Sequence, residues 1–279
     1  TIFFNIYKEG EVGLNTPKII ADKYLDVAES KMNTPWYKTL MLAVMAGMFI
    51  AVGSVAATIA SRSFEGATAN IVKGAIFPVG LAMVIVAGSE LFTGNCLLIM
   101  PLLQKRISFG GMAKNLAIVY AGNFIGAIVI ALMATYSHAF QITDLAPQIV
   151  NIAAQKASLD FGQALLLGIM CNIFVSIAVW MSMASNSASG KIVALYLPIM
   201  AFIICGFEHS VANMYYLTSG LLTSTVFGIP AQGLTVANCI FNNLIPVTLG
   251  NMIGGMVCVG LPYWFIYLHQ ERRHETENQ

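Results

Sequence analysis

Four long stretches of this sequence contain no acidic or basic side chain, and each is long enough to cross a lipid bilayer. They are residues 39–60, 116–133, 164–183 and 244–268. A helix that spans the hydrocarbon core of a membrane needs about 20 apolar residues. Only 10% of the 279 residues are Asp, Glu, Lys or Arg, against about 25% in a typical soluble domain. The chain is therefore predicted to be an all-α integral membrane protein.

Two further apolar runs, residues 74–103 and 192–222, each carry charge near the middle. The first contains Glu90, and the second contains Glu208 and His209. Each run is too long for one straight helix and too short for two crossings with a turn between them. We predict that each is a single crossing built from two half-helices, which are joined by an unwound loop. Such a loop is tolerated at membrane depth where it lines a cavity or is buried in protein.

The two charged loops have a common frame, which indicates an internal repeat. "GSELFTGN" (88–95) and "GFEHSVAN" (206–213) agree at Gly, Glu and Asn, and "GNFIG" (122–126) is followed in the same order by "GNMIG" (250–254). Residues 39–136 and 162–268 are thus predicted to be two copies of a three-crossing unit. Because three is odd, the second copy enters the membrane from the opposite face. Such inverted repeats are common in transport proteins.

Six crossings place both termini on the same side of the membrane, and basic residues indicate which side. Eleven Lys and Arg residues lie on the side of the termini and three on the other, so both termini are predicted to be cytoplasmic. Residues 1–38 would form a cytoplasmic segment with an amphipathic helix over 18–32. This helix would lie on the membrane surface, or alternatively bind a partner. Residues 39–268 would form the six-crossing membrane domain and 269–279 a cytoplasmic tail.

Composition and motifs argue against several other classes of protein. The net charge is +1 and no basic cluster is interleaved with aromatics, so no nucleic-acid partner is predicted. The five cysteines lack C-x-x-C spacing and are expected to be small buried hydrophobes. "EH" at 208–209 lacks the second histidine of a zinc hydrolase motif, and Asp144 and Asp160 lie in one loop. We therefore predict neither an enzyme nor a bound cofactor.

Glu90 and Glu208 need a reason to lie at membrane depth. A charged side chain there costs at least about 2.5 kcal/mol on insertion scales. A carboxylate that accepts several N–H bonds can stabilise an unwound loop. We expect both glutamates to bind backbone N–H groups at the breaks, because neither would suit the passage of an anion.

His209 can present a hydrogen-bond donor to a lumen, and Thr93 can supply a hydroxyl from the other loop. Half-helix N-termini aimed at the same point would add positive potential, so the arrangement favours a small anion or a polar acid over a cation. Histidine can change charge near neutral pH, and His209 could exchange a proton with a passing anion. The alternative is a core histidine that is bonded to a carbonyl.

"SELFTGN", "GFEHSVANM" and "NNLIPVTLGNMIGG" resemble the formate/nitrite transporter family over nearly the whole chain. The resemblance implies an aquaporin-like protomer in a homopentamer, with one pore per protomer for a small monovalent anion. It also implies roles for individual residues. Thr93, His209 and Asn172 would lie at the pore centre, Phe77, Leu81, Phe92 and Phe202 would form constrictions, Lys156 would raise the anion concentration in the external vestibule, and Asn95 and Asn213 would support the broken-helix loops with Glu90 and Glu208.

The resemblance leaves the transported anion open. The formate branch typically reads "LFTST" where this chain has "LFTGN", and the segment at about 223–243 is shorter than in that branch. These departures resemble the hydrosulfide branch, so hydrosulfide is the first expectation, with formate and nitrite as alternatives. A proton-coupled carrier is the alternative to a channel. The resemblance places the protein in a bacterial or archaeal plasma membrane.

Overall fold

The computed structural model describes residues 13–269, and every regular element within them is helical. The predicted tail at 269–279 lies outside this range apart from His269, as do residues 1–12 of the predicted N-terminal segment. We number eleven helices: α1 Pro17–Asn33, α2 Trp36–Ala60, α3 Gly66–Ala87, α4 Phe92–Leu103, α5 Phe109–Tyr136, α6 Ala139–Ile142, α7 Ala146–Ala157, α8 Phe161–Ser182, α9 Ala188–Ile204, α10 Ser210–Phe227 and α11 Val236–Tyr267.

Five of these helices, α2, α3, α5, α8 and α11, are long and apolar enough to cross a bilayer. The four uncharged runs of the sequence lie in α2, α5, α8 and α11, apart from residues 183 and 268, which directly follow α8 and α11. Each of these helices begins before its run. Side chains cap several of the helix starts, as they do at Ser108, where Oγ accepts from the backbone N–H of Gly111, and at Asp160, where Oδ1 accepts from that of Gln163. Such caps satisfy backbone donors that have no partner in the first helical turn.

The two predicted breaks are present in the structure. The chain leaves helical geometry at 88–91, between α3 and α4, and at 205–209, between α9 and α10. Gly88 and Gly206 take φ values of 78° and 70°, a left-handed conformation that is open to glycine and strained for most other residues. The first crossing differs from the prediction in its proportions. Its helix α3 begins at Gly66 and has 22 residues, so α3 is far longer than a half-helix.

Matching contacts support an internal repeat that relates α1–α5 to α7–α11. Lys31 and Lys156 are equivalent, 125 positions apart, and they contact the equivalent residues Glu90 and Glu208. Helix α1 is therefore the counterpart of α7. The predicted halves, 39–136 and 162–268, omitted this first helix of each unit.

Helix α1 packs on the protein itself. Thr16 caps it by accepting a bond from the backbone N–H of Ile19. Its buried face, which includes Tyr24 and Leu25, belongs to a core cluster with Trp180. This face therefore packs on the protein and not on the membrane surface, contrary to the prediction, whereas Val27 of the same helix is 40% exposed.

An ion pair also attaches α1 to the segment that follows α4. Arg106 donates a hydrogen bond to Glu29, and its guanidinium holds the pKa of the Glu29 carboxyl below its usual value. Both side chains are solvent-accessible, so the pair contributes little to stability.

Glycines allow the crossings within each half to approach closely. A Cβ on Gly126 of α5 would overlap the backbone carbonyl of Val44 in α2, and one on Gly254 of α11 would overlap that of Ile169 in α8. The "GNFIG" and "GNMIG" motifs therefore mark equivalent helix crossings. Small residues permit such contact between membrane helices.

Candidate functional site

Thr93 and His209 meet where the two broken crossings come together. Thr93 lies in the first turn of α4 and His209 is the N-cap residue of α10; their side chains approach to 2.9 Å between Oγ1 and Nε2. Both are buried, with exposed fractions of 0% and 3%. The structure thus places a hydroxyl and an imidazole from opposite halves in direct contact.

The hydrogen bonds of His209 assign its tautomer. Nδ1 accepts a bond from the backbone N–H of Ala212 at 3.1 Å, so this nitrogen carries no proton. Nε2 then carries the proton of the neutral ring and donates to Thr93. A second proton would displace the bond that caps α10. The proton exchange expected from the sequence is therefore disfavoured while this cap is intact.

Asn172 lies beside this pair, on α8. Its Nδ2 donates to the backbone carbonyls of Thr93 at 3.2 Å and Asn251 at 2.6 Å. Both amide hydrogens are thereby occupied. Asn172 holds the backbone of Thr93 in place, and it presents no free N–H group to a passing solute.

Apolar side chains surround the Thr93–His209 pair. Phe77, Leu81 and Phe202 are at most 2% exposed. The Phe77 and Phe202 rings meet edge-on at 5.8 Å, and the Phe202 ring lies 6.1 Å from the imidazole. Phe92 packs against Tyr120 of α5 at 5.0 Å. Phe77, Leu81, Phe92 and Phe202 all belong to one buried hydrophobic cluster, and we call these four residues the apolar barrier.

Glu90 and Glu208 bind side chains, so the expectation that they bind backbone N–H groups was wrong. Glu90 accepts from Lys31 and Asn95, each at 2.7 Å. Glu208 accepts at 2.6 Å from both Lys156 and Asn213. The Asn five residues after each Glu thus closes the loop, and a lysine neutralises the carboxylate.

Asn123 and Asn251 perform the backbone role that was assigned to the glutamates. Asn123 Oδ1 accepts from the N–H of Phe92, and its Nδ2 donates to the carbonyl of Glu90. Asn251 makes the matching bonds to Ser210 and Glu208. Sequence reasoning missed both residues, although each is the second letter of a repeated motif, "GNFIG" or "GNMIG". The repeat alone could have drawn attention to them.

Two cavities approach the barrier, and they share no lining residue. The Lys156 cavity, of about 340 Å³, is lined by Lys73, Phe77, Lys156 and Glu208 among others. The Lys31 cavity, of about 460 Å³, is lined by Lys31, Leu81, Glu90 and Lys191 among others. Phe77 and Leu81 are one helical turn apart on α3, so this turn separates the two cavities. Their linings are related by the repeat, because Lys31 and Glu90 of one correspond to Lys156 and Glu208 of the other.

Lys156 does not provide the open vestibule charge that was expected from the sequence. Its Nζ lies 2.6 Å from Glu208 and its side chain is only 18% exposed. The ammonium also lies 5.6 Å from the centre of the Tyr216 ring. The neighbouring Glu208 carboxylate cancels most of the electric field that the Lys156 ammonium would project into the cavity.

The site is built from hydrogen-bonding and charged side chains. Among residues 13–269, no group of three or more His, Cys, Asp or Glu side chains could hold a metal ion. All five cysteines are free, and Cys205 and Cys258 are exposed, contrary to the expectation of burial. Cys258 lies in α11 and Cys205 directly follows α9, so both exposed thiols lie in apolar parts of the sequence.

Two cavities that meet at an apolar barrier with buried donors define a transmembrane channel or transporter for a small polar solute. The chain belongs to the formate/nitrite transporter family, whose model matches residues 18–265. It is 36% identical over 253 residues to the "Formate channel FocA" of Escherichia coli (strain K12), covering 85% of this chain and 89% of the relative. It is also 36% identical over 266 residues to the "Probable formate transporter" of Methanothermobacter thermautotrophicus, covering 88% and 94%.

Solved structures agree with this assignment. A "Pentameric formate channel with formate bound" matches with a TM-score of 0.74 and 33% identity, over 84% of this chain and 98% of that one. An "FNT family ion channel" matches with a TM-score of 0.76 and 28% identity, over 88% and 98%. The predicted fold class, an all-α membrane protein of aquaporin-like design, is confirmed. So is the prediction that the chain is not an enzyme, since these relatives are channels and transporters.

Proposed function

We propose that this multi-pass membrane protein conducts a small monovalent anion, and that formate is the first anion to test. The observation that carries the proposal is the Thr93–His209 pair, which brings two hydrogen-bonding groups to an apolar barrier between two cavities. The nearby carboxylates, Glu90 and Glu208, are each paired with a lysine. The site therefore offers donors to an anion without an uncompensated negative charge.

In the proposed mechanism the anion replaces the bond between Thr93 and His209 with bonds to itself. The Nε2 of His209 and the Oγ1 of Thr93 lie 2.9 Å apart, so both groups can donate to the same carboxylate or oxyanion once their mutual bond is broken. The N-terminus of α10, which begins at Ser210, adds positive potential there. Phe77, Leu81 and Phe202 exclude the hydration shell, so only a small solute with weakly held water can cross.

We test formate before hydrosulfide because two relatives are named as a formate channel and a probable formate transporter. The "LFTGN" motif and the short segment at about 223–243, which resemble the hydrosulfide branch, keep hydrosulfide in the comparison together with nitrite. By analogy with the pentameric formate channel, we further propose a homopentamer with one pore per protomer. The excess of basic residues on the side of the termini supports cytoplasmic termini in a bacterial or archaeal plasma membrane, with the Lys156 cavity facing outward.

The test is electrical recording from the purified protein in a planar bilayer. Discrete single-channel currents carried by formate, hydrosulfide or nitrite would support a channel, and the relative permeabilities would rank the anions. A proton-coupled carrier is the second candidate, because a weak acid could cross the barrier in its neutral form. Anion uptake that requires a pH gradient, without discrete currents, would favour it. Cation currents of comparable size would contradict both.

A further inference from the structure

Each cavity contains one lysine that is neutralised and one that is not. Lys156 pairs with Glu208, and Lys31 pairs with Glu90. Lys73 in the first cavity and Lys191 in the second have no carboxylate within 4.0 Å among residues 13–269. The charged residues that line each cavity are thus two lysines and one glutamate, which leaves one positive charge in excess.

The two unpaired lysines are equivalent in the internal repeat. Lys73 and Lys191 are 118 positions apart, the same separation as Glu90 and Glu208. Lys73 lies in α3 and Lys191 in α9, which are the corresponding helices of the two halves. The family resemblance implied that Lys156 is the vestibule charge and gave no transport role to Lys73 or Lys191. Only the structure shows which lysines are already paired with a carboxylate.

Each unpaired lysine lines a cavity together with a residue of the apolar barrier. Lys73 is four residues before Phe77, so both lie on one face of α3 and line the same cavity. Lys191 lines the other cavity together with Leu81, which belongs to the barrier. Both lysine side chains are partly buried, and a cation beside a low-dielectric wall attracts anions more strongly than one on an open surface.

We propose that Lys73 and Lys191 are a matched pair of anion-recruiting residues, one in each vestibule, that set the rate of anion entry from the two sides. This inference rests on the proposed function, since it specifies how that site collects its substrate. Each lysine raises the local anion concentration in its own cavity. Neither contacts the Thr93–His209 pair, so both act on entry and not on the crossing of the barrier.

The experiment compares Lys73→Gln and Lys191→Gln with the parent in oriented bilayers, using formate on both sides. At about 10 mM salt, charges are screened only beyond about 30 Å. In each variant the anion current that enters through the cavity of the substituted lysine should fall about threefold. The two variants should therefore rectify in opposite directions. At about 1 M salt, where the screening length is about 3 Å, the rectification should nearly vanish.

The matched controls remove an exposed charge from each face without altering a cavity. Arg62 and Lys38 are exposed and lie near opposite ends of α2, Arg62 on the same side of the membrane as Lys73 and Lys38 on the same side as Lys191. The variants Arg62→Gln and Lys38→Gln should both conduct like the parent. Lys73→Arg should restore entry, and gel filtration reports assembly. Equal loss in both directions, salt-independent loss, or rectification in the controls would overturn the inference. If the parent protein conducts no anion, the proposed function is overturned as well. If the parent conducts and both variants carry equal currents in the two directions, only this inference is overturned.

Discussion

The imidazole of His209 donates from Nε2 to the hydroxyl of Thr93 at 2.9 Å, while its Nδ1 accepts from the backbone N–H of Ala212 at 3.1 Å. One ring thus links the start of α10 to the start of α4. The repeat places Leu91, not a second histidine, at the position that is equivalent to His209. The Lys–Glu pairs of the two halves correspond to each other, whereas His209 has no histidine counterpart in the first half.

His209→Asn tests whether the imidazole acts as a neutral donor. Asn is a favourable N-cap residue, so it can retain the bond to Ala212 and the fold. We expect lower anion flux, by roughly tenfold, because a charge-assisted donor bond contributes about 1.5–3 kcal/mol and the shorter side chain reaches the anion less well. The pH profile between about 5 and 8, where histidine titrates, should match that of the parent.

The measurement is formate flux into liposomes over that pH range. His138→Asn is the control, because His138 is exposed and has a left-handed φ of 58°, which Asn tolerates. If only His209→Asn loses a pH dependence that the parent shows, the imidazole titrates during transport and the proton-exchange mechanism is restored.

Leu81→Ala and Phe202→Ala test the apolar barrier. Both residues are 1% exposed, so truncation should cost about 2–5 kcal/mol of stability and open space between the cavities. Anion flux should rise, and larger anions should pass more readily relative to formate. Reversal potentials with acetate and lactate measure this change in selectivity. Leu132→Ala, at a 38% exposed site on α5, is the control, and unchanged selectivity in the barrier variants would mean that the narrow point lies elsewhere.

The Lys156–Glu208 pair should matter for assembly rather than for attraction of anions. Lys156→Gln leaves Glu208 buried without its cation, which should cost about 3–5 kcal/mol, and Lys156→Glu should be worse at any ionic strength. The double variant, with both Lys156→Gln and Glu208→Gln, should recover part of the lost stability. Thermal unfolding of the single and double variants gives the coupling energy. Stable single variants that lose flux only at low salt would indicate an open vestibule charge instead.

Gly126→Ala and Gly254→Ala test the close helix crossings. In each case the new Cβ would overlap a backbone carbonyl of the neighbouring helix, and backbone cannot move aside as a side chain can. We expect a marked fall in melting temperature or failure to assemble. Gly110→Ala has no atom within 4 Å of the new Cβ and should behave like the parent. Equal stability of all three variants would show that the helices can separate without cost.

The crossings and breaks could be predicted because their signals are local. Long apolar runs determine the crossings, and a Gly–Glu frame inside such a run indicates a break. Pairing of charges is not local, since Lys156 and Glu208 are distant in sequence and any basic residue could have been the partner. The equivalence of α1 and α7 was also hidden. The repeat spacing changes from 125 at Lys31 and Lys156 to 118 at Glu90 and Glu208, so no single offset aligns the two halves.

The buried polar networks have a consequence for biosynthesis. The partners of Glu90, which are Lys31 and Asn95, all precede residue 137, whereas the partners of Glu208, which include Lys156 and Asn243, all follow residue 137. Each half can therefore neutralise its own carboxylate as it leaves the ribosome and enters the lipid, without waiting for the other half. The contact between Thr93 and His209 needs both halves, so it can form only after the second half has been inserted.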